Sequence, residues 1–322
     1  MKTEDNISKV MELGQKLGYL PYMIQRYLTL LGLQEAYSLL HFNETYLEKT
    51  IRINTINDSQ EIILASLKKK GFILSNIPSI PEGYTVINSP VALSSTPEFL
   101  NGSYFIQEKN SMYPSRLLDA SQNDLVGDFA AAPGGKTSHL AQLMKNKGKI
   151  IAVEISANRC RSLKANLSRM GIKNTIILNM DARNILTTSL KFDKILLDAP
   201  CSGSGIIVSD KSRKNSINEV ELNRFYTKQV ELLETAIKSL NVGGNIVYCT
   251  CSLEPEENEA VISKILEHYD LSLLPLDIEG DPGLLDFQGK FFNSQLVNAK
   301  RLYPHKTKGE GFFITKMVKN SE

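Results

Sequence analysis

Two cysteine-bearing clusters stand at the ends of apolar runs: Asp198-Ala199-Pro200-Cys201-Ser202-Gly203-Ser204-Gly205 after Phe192 to Asp198, and Thr250-Cys251-Ser252 after Asn245 to Cys249. Carbon 5 of a pyrimidine has no lone pair to attack with, and it becomes nucleophilic only after a thiolate has added to carbon 6. An acid beside ring nitrogen 3 stabilises the charge that develops, and a second group must remove the proton from carbon 5 and release the enzyme. Cys251, Asp198 and Cys201 have the residue types for this sequence. They can share one pocket if their two strands are neighbours in a doubly wound sheet. The competing reading, a buried cysteine acting as a small hydrophobe, is the one expected for Cys160 and Cys249, whereas Cys201 and Cys251 fall outside the apolar runs. Pro255 reads as a helix start shortly after Cys251. Partial positive charge at that helix end favours a thiolate, and Glu256 and Glu257 in its first turn oppose it.

A second constellation begins at Leu125 to Phe129, which run into Ala130-Ala131-Ala132-Pro133-Gly134-Gly135-Lys136-Thr137 and then into a helix through Leu140 and Leu143. A small-residue loop opening a helix suits an anionic or carboxylate-bearing ligand, because backbone N–H groups and the helix dipole face it. One reading is a P-loop: Gly135-Lys136-Thr137 ends that pattern, and Ile195-Leu196-Leu197-Asp198 imitates the strand that holds magnesium in nucleotide hydrolases. Ala130 at the place of the first glycine, and Pro133 without an N–H, count against it. The other reading is an S-adenosylmethionine loop. Glu154 ends the next strand about 20 residues on, where an acid meets a ribose hydroxyl, and Asp181 ends the following one, placed for an adenine amino group. Taken singly, each acid could be a solvated strand end; three in succession behind a glycine loop favour a nucleoside cofactor.

The elements that must position these residues follow from periodicity. Residues 1 to 45 read as helical, with Met23, Tyr27, Leu30 and Leu31 at helical spacing, Pro21 at a start and Gly32 at a stop. From Thr50 to Asn88 a small mixed module is expected: a strand at Ile51 and Ile53, a helix through Lys68 to Lys70 ended by Gly71, and strands at Phe72 to Leu74 and Tyr84 to Ile87. Pro78, Pro81, Gly83, Pro90 and Pro97 then punctuate the chain and place a boundary near residue 100. Beyond it, strands at Leu125 to Phe129, Lys149 to Ile155, Thr175 to Asn179, Phe192 to Asp198 and Asn245 to Cys249 alternate with helices at 156 to 170 and 219 to 240. That alternation specifies an α/β fold with a mostly parallel sheet covered on both faces.

At 322 residues, 42% of them hydrophobic, the chain can bury a sizeable core, which excludes disordered, fibrous and mini-protein classes. The 37 Lys+Arg against 35 Asp+Glu give no overall field for a polyanion. Cysteines at 160, 201, 249 and 251 form neither a disulfide framework nor a zinc pattern, so no metal is expected and the thiols read as reduced. With no signal core in Met1 to Val10 and no membrane span, a cytoplasmic protein is expected. Local charge differs from the total. Lys211, Arg213 and Lys214, and the acid-free run Lys300, Arg301, His305, Lys306 and Lys308, are expected to rim the pocket and meet phosphates. Tyr303 is placed to stack on an unpaired base, and Phe312 and Phe313 read as core of a final strand.

Together the motifs resemble the Nol/Nop/Sun family of RNA cytosine-5 methyltransferases, the archaeal-type transfer-RNA enzymes most of all. The resemblance runs from about residue 50 to 318. It is carried by Arg52-Ile53-Asn54-Thr55, Gly102 to Gln107 with Ser111-Met112-Tyr113-Pro114, Asp128 to Thr137, Asp198 to Gly203, and Thr250-Cys251-Ser252 with Pro255-Glu256-Glu257-Asn258-Glu259. It implies a Rossmann-like class I methyltransferase sheet, residues 101–322, behind a smaller N-terminal α+β module, residues 1–100, that widens the RNA surface. By the same resemblance, Cys251 is the nucleophile, Cys201 assists product release, and Asp198 contacts the base near the methionine end of the cofactor. Ala130, Ala131, Ala132, Pro133, Gly134, Gly135 and Lys136, with Glu154, Arg159 and Asp181, would hold S-adenosylmethionine; Lys136 also joins the catalytic set. Ala130 departs from the family, which commonly has cysteine there, and Glu154 is longer than the usual aspartate. The expected partner is RNA, transfer RNA first and ribosomal RNA as the alternative, with the protein a monomer. A nucleotide hydrolase and a non-catalytic RNA-binding scaffold are the competing classes.

Overall fold

The computed structural model describes residues 2–215 and 218–322. Two helices, α1 (Lys2–Lys16) and α2 (Pro21–Asn43), open the chain. Pro21 starts the second as expected, but Gly32 interrupts it (φ 74°) instead of ending it. Next come β1 (Thr50–Ile53), α3 (Gln60–Lys69), β2 (Ile73–Ile77), β3 (Ile80–Asn88), α4 (Pro97–Leu100) and β4 (Tyr104–Ile106). The four strands make an antiparallel sheet in the order β2-β3-β1-β4. Its buried residues Ile51, Ile53 and Tyr104 pack on Ile63 and Leu67 of α3. Because β4 belongs to it, this sheet reaches past the boundary expected near residue 100.

The large sheet begins after α5 (Tyr113–Leu118) with β5 (Leu125–Phe129), α6 (Gly135–Leu143), β6 (Lys149–Glu154), α7 (Ala157–Arg169), β7 (Thr175–Asn179), β8 (Phe192–Asp198), α8 (Glu219–Ser239) and β9 (Leu240–Thr250). There follow α9 (Glu259–Leu266), β10 (Leu271–Leu274), the short strands β11 (Asp281–Pro282), β12 (Asp286–Phe287) and β13 (Lys290–Phe291), then β14 (Lys300–Leu302), α10 (Pro304–Thr307) and β15 (Phe312–Lys319). Strand order is β11-β14-β15-β9-β8-β5-β6-β7, with β10 also paired to β15. Strands β5 to β9 are parallel, as the alternation predicted. The antiparallel edge built from β15, β14 and β10 was not foreseen as an edge, although Phe312 and Phe313 are core residues of its first strand.

Strand β6 is buried at every position but the first because helices cover both faces of the sheet. One face packs Phe129, Ile195, Leu197 and Tyr248 against α8 and α9. The other packs Val126, Ile150, Leu196 and Val247 against α5 and α6. The order reverses at β5, which has β6 on one side and β8 on the other, so a crevice opens at their carboxyl ends. Helices α1 and α2 lie against the large unit instead of the small sheet: Met23, Ile24 and Tyr27 share a core with Ile207, Leu253 and Tyr303. Among the described residues no helix is long and apolar enough to cross a membrane.

Candidate active site

Strands β8 and β9 are direct parallel neighbours with Asp198 opposite Cys249, so the segments leaving them run side by side. Cys201 Sγ and Cys251 Sγ come within 3.2 Å of each other, and both thiols are free. Contact with Cys251, then burial, pushes the Cys201 thiol well above its ordinary value, so it keeps its proton. The helix expected from Pro255 starts four residues later, at Glu259. Its intervening acids are therefore side-chain ligands of the fold and not dipole partners. The fully buried Glu257 accepts from the Ser202 N–H (2.8 Å), the Ser202 hydroxyl (2.5 Å), Gln229 Nε2 (3.1 Å) and the Ser252 hydroxyl. It thereby holds the residue after each cysteine. Asn258 accepts from the Thr250 hydroxyl at 2.6 Å and donates to the Ser252 carbonyl at 2.9 Å. The sequence reading missed both roles.

Beside the thiols, Lys136 Nζ donates to Asp198 Oδ2 (2.7 Å) and to the Ser111 hydroxyl (2.9 Å), and lies 5.4 Å from the Phe312 ring centre. Burial disfavours this ammonium, but the Asp198 carboxylate outweighs it and holds Lys136 charged. The Cys249 thiol reaches Asp198 Oδ1 at 3.5 Å. Cys249 is a core residue as expected; Cys160 is not, being half-exposed on α7 with its thiol at the Glu154 carbonyl (3.5 Å).

The glycine loop is held from behind by α7. Arg159 Nη2 donates to the Ala132 carbonyl (2.6 Å), and Asn166 donates to that of Pro133 (2.9 Å). Gly134 has φ 101°, and a Cβ there would lie 2.8 Å from Leu163 Cδ1, so no larger residue fits. Ala130 also takes a left-handed backbone (φ 63°), at a cost of roughly 1–2 kcal/mol for a residue with a Cβ. Arg52, fully buried, runs from the small sheet to α6, donating to Gln107 (3.0 Å), Ser138 (2.7 Å) and Gln142. Against the P-loop reading, the buried Thr137 hydroxyl is committed to Asp128 Oδ2 at 2.5 Å.

A cavity of about 210 Å³ lies in front of this loop, walled by Ala130 to Pro133, Gly135, Lys136, Asp128, Asp198 and Glu310. Among the described residues, Glu154, Arg159 and Asp181 lie outside that wall, as do both thiols. Glu154 is buried at the end of β6, its Oε1 accepting from the Ser156 N–H (2.9 Å). Its Oε2 has no hydrogen-bond donor, with Arg159 Nη1 3.3 Å away. Asp181 is occupied by Arg183, which reaches it at 2.7 Å. The polar set fits S-adenosylmethionine: Glu154 Oε2 is a buried acceptor in want of a donor, which a ribose diol would supply.

The basic residues expected to meet phosphate are largely committed elsewhere. Arg301, 1% exposed, pairs with Glu259 at 2.5 and 2.6 Å, and Tyr303, 3% exposed, belongs to the core. Lys214 pairs with Glu44 (2.7 Å), Lys306 with Asp281 (2.6 Å), and His305 bonds Glu35 (2.7 Å). Acids distant in the sequence pair with these members of the two runs, so the buried Arg301 and Lys214 are no phosphate rim and the buried Tyr303 is no stacking platform.

Comparison with known proteins agrees with the fold. The family described as 16S rRNA methyltransferase RsmB/F matches residues 115–318. A Mus musculus 28S rRNA (cytosine-C(5))-methyltransferase is 37% identical over 316 residues, covering 96% of this chain and 40% of the relative. The chain thus spans two fifths of that relative's length. Among solved structures, a methyltransferase homolog from Pyrococcus horikoshii is 41% identical with a TM-score of 0.89, covering 97% of this chain and 99% of that one. NSun6 from Pyrococcus horikoshii with SFG, an S-adenosylmethionine analogue, is 28% identical with a TM-score of 0.82, covering 93% and 98%. With the sheet order, the glycine loop and the paired cysteines in place, the chain belongs to the RsmB/F family of methyltransferases, whose fold is that of the S-adenosylmethionine-dependent class.

Proposed function

We propose that this chain methylates carbon 5 of a cytosine in ribosomal RNA. The 3.2 Å pairing of Cys201 with Cys251 beside the Lys136–Asp198 ion pair carries the reading. Ribosomal RNA replaces transfer RNA as the leading substrate because the matching family and the mouse relative are both named for rRNA. S-adenosylmethionine, held by the loop from Ala130 to Lys136 with Glu154 and Arg159, supplies the electrophilic methyl group.

The chain's own residues do the rest. Cys251, as thiolate, forms a bond to carbon 6 and sends the electron pair toward carbon 5 and the ring-nitrogen side of the base. Lys136, held in place by its ion pair with Asp198, offsets the negative charge that develops there, and Asp198 contacts the base. Water takes the carbon 5 proton, the electron pair of that bond restores the ring double bond and expels Cys251 as a thiolate, and Cys201, which keeps its proton, assists by donating a hydrogen bond to the departing sulfur 3.2 Å away. The nucleophile must stay a free thiol, so a reducing surrounding belongs to the mechanism. Residues 1–100 extend the RNA-facing surface in this reading.

The test is incubation with unmodified ribosomal RNA and, separately, unmodified transfer RNA, using cofactor tritiated in its methyl group. Label recovered as 5-methylcytosine from ribosomal RNA is the expected outcome. Label confined to transfer RNA returns the substrate to the alternative, and label on another atom rejects the chemistry.

A further inference from the structure

An open groove of about 620 Å³ runs from Tyr46 and Lys49, in the segment joining α2 to β1, to Glu108 and Glu310. Ile106, Gln107, Glu108 and Glu310 line both this groove and the cavity in front of the glycine loop. The two spaces therefore meet at a wall carrying two carboxyl groups.

Those carboxyl groups are in different situations. Glu108 is committed to the backbone: its Oε2 accepts from the N–H groups of Asn110 (2.7 Å) and Ser111 (3.1 Å), and its Oε1 from that of Glu310 (3.0 Å). It fixes the main chain that carries Glu310. That main chain is tied in turn to the nucleophile's own, since Gly311 N–H donates to Gly205 (2.7 Å) and Gly205 N–H to the Cys251 carbonyl (3.0 Å). A Cβ on Gly311 would stand 2.7 Å from Gly205 Cα, so the crossing has no room for a side chain. Burial pushes the Glu310 carboxyl up, and the Ser209 hydroxyl and the Lys136 charge offset this only in part.

A carboxyl group presents acceptor oxygens, and once ionised it presents acceptors alone. Next to carbon 5, cytosine carries an exocyclic amino group, a donor, and uracil a carbonyl oxygen, which would meet the carboxylate acceptor to acceptor. We propose that the groove admits the target nucleotide and that Glu310 selects cytosine by accepting from its 4-amino group. The proposal rests on the methyl-transfer reading above. Tyr46, 78% exposed at the far end of the groove, offers a ring on which a flanking unpaired base stacks.

The experiment compares kcat/KM for RNA carrying either cytosine or 2-pyrimidinone, which lacks only the amino group, at the mapped target position. Wild type favours cytosine. In Glu310→Ala that preference falls by about tenfold or more, because the amino group has lost its acceptor. Glu310→Gln, whose amide oxygen still accepts, keeps part of the preference, and a cooperative urea transition in both variants guards against a folding defect. An unchanged preference in both variants overturns the proposal while leaving methyl transfer standing. Absence of methylation by wild type overturns the reading beneath it instead.

Discussion

Cys201 Sγ and Cys251 Sγ lie 3.2 Å apart although fifty residues separate them in sequence. The cause is the parallel ladder that sets Asp198 opposite Cys249, together with Glu257, which binds Ser202 and Ser252 at once. The proposed mechanism gives the two thiols different tasks. Cys251→Ala is expected to reduce methyl transfer to background while cofactor affinity stays at the wild-type value, since the cavity wall does not include it. Methyl incorporation and calorimetry on the same preparation check both halves.

Glu257 is the residue on which the pairing depends mechanically. Glu257→Ala leaves the Ser202 N–H and hydroxyl, the Ser252 hydroxyl and Gln229 without their acceptor. A loss of about 3 kcal/mol in unfolding free energy is expected from buried donors left unpaired. Urea denaturation measures it; a loss below about 0.5 kcal/mol, the range of ordinary surface substitutions, contradicts the role.

Asp128 sets a pH dependence. Burial raises its carboxyl from 3.8 to about 7, against the pull of the Thr137 hydroxyl. Between those pH values the unfolded chain has released a proton that the folded chain keeps. The stability from this group is therefore full below about pH 4 and is lost as pH rises through 7. Relative to Asp128→Asn, the wild type should lose roughly 4 kcal/mol across that window, at about 1.4 kcal/mol per pKa unit. Urea unfolding of both proteins from pH 4 to 7.5 tests this; parallel curves count against it.

Arg301 separates a structural cation from an RNA contact. Arg301→Ala strands the buried Glu259 carboxylate and should cost about 3–5 kcal/mol of stability. The salt dependence of RNA binding by the folded variant should stay unchanged, because no phosphate contact is lost. A salt slope lower by about one charge would place Arg301 on RNA after all.

The inner parallel strands were legible as short apolar runs buried on both faces, as in Ile150 to Val153, whereas the edge strand β7 is half-exposed. The glycine loop was legible through Gly134, whose backbone excludes other residues. Contacts between distant segments were not. Arg26 pairs with Glu254 at 2.6 Å across 228 residues, and nothing near either residue announces the other. For the same reason the run from Lys300 to Lys308 read as a free basic surface, although Glu259, Glu35 and Asp281 pair with its Arg301, His305 and Lys306. Glu257 left a fainter trace: serine follows both Cys201 and Cys251, a repetition that a shared acceptor explains.

The most direct measurement concerns Cys201→Ala. With substrate RNA and S-adenosylmethionine present, Cys251 should form its bond to carbon 6 and methyl transfer should follow, but release should stall. A denaturing gel should then show protein covalently joined to RNA, and the additional replacement of Cys251 should abolish that band. Full turnover by Cys201→Ala with no RNA-linked protein would contradict the division of labour between the two thiols.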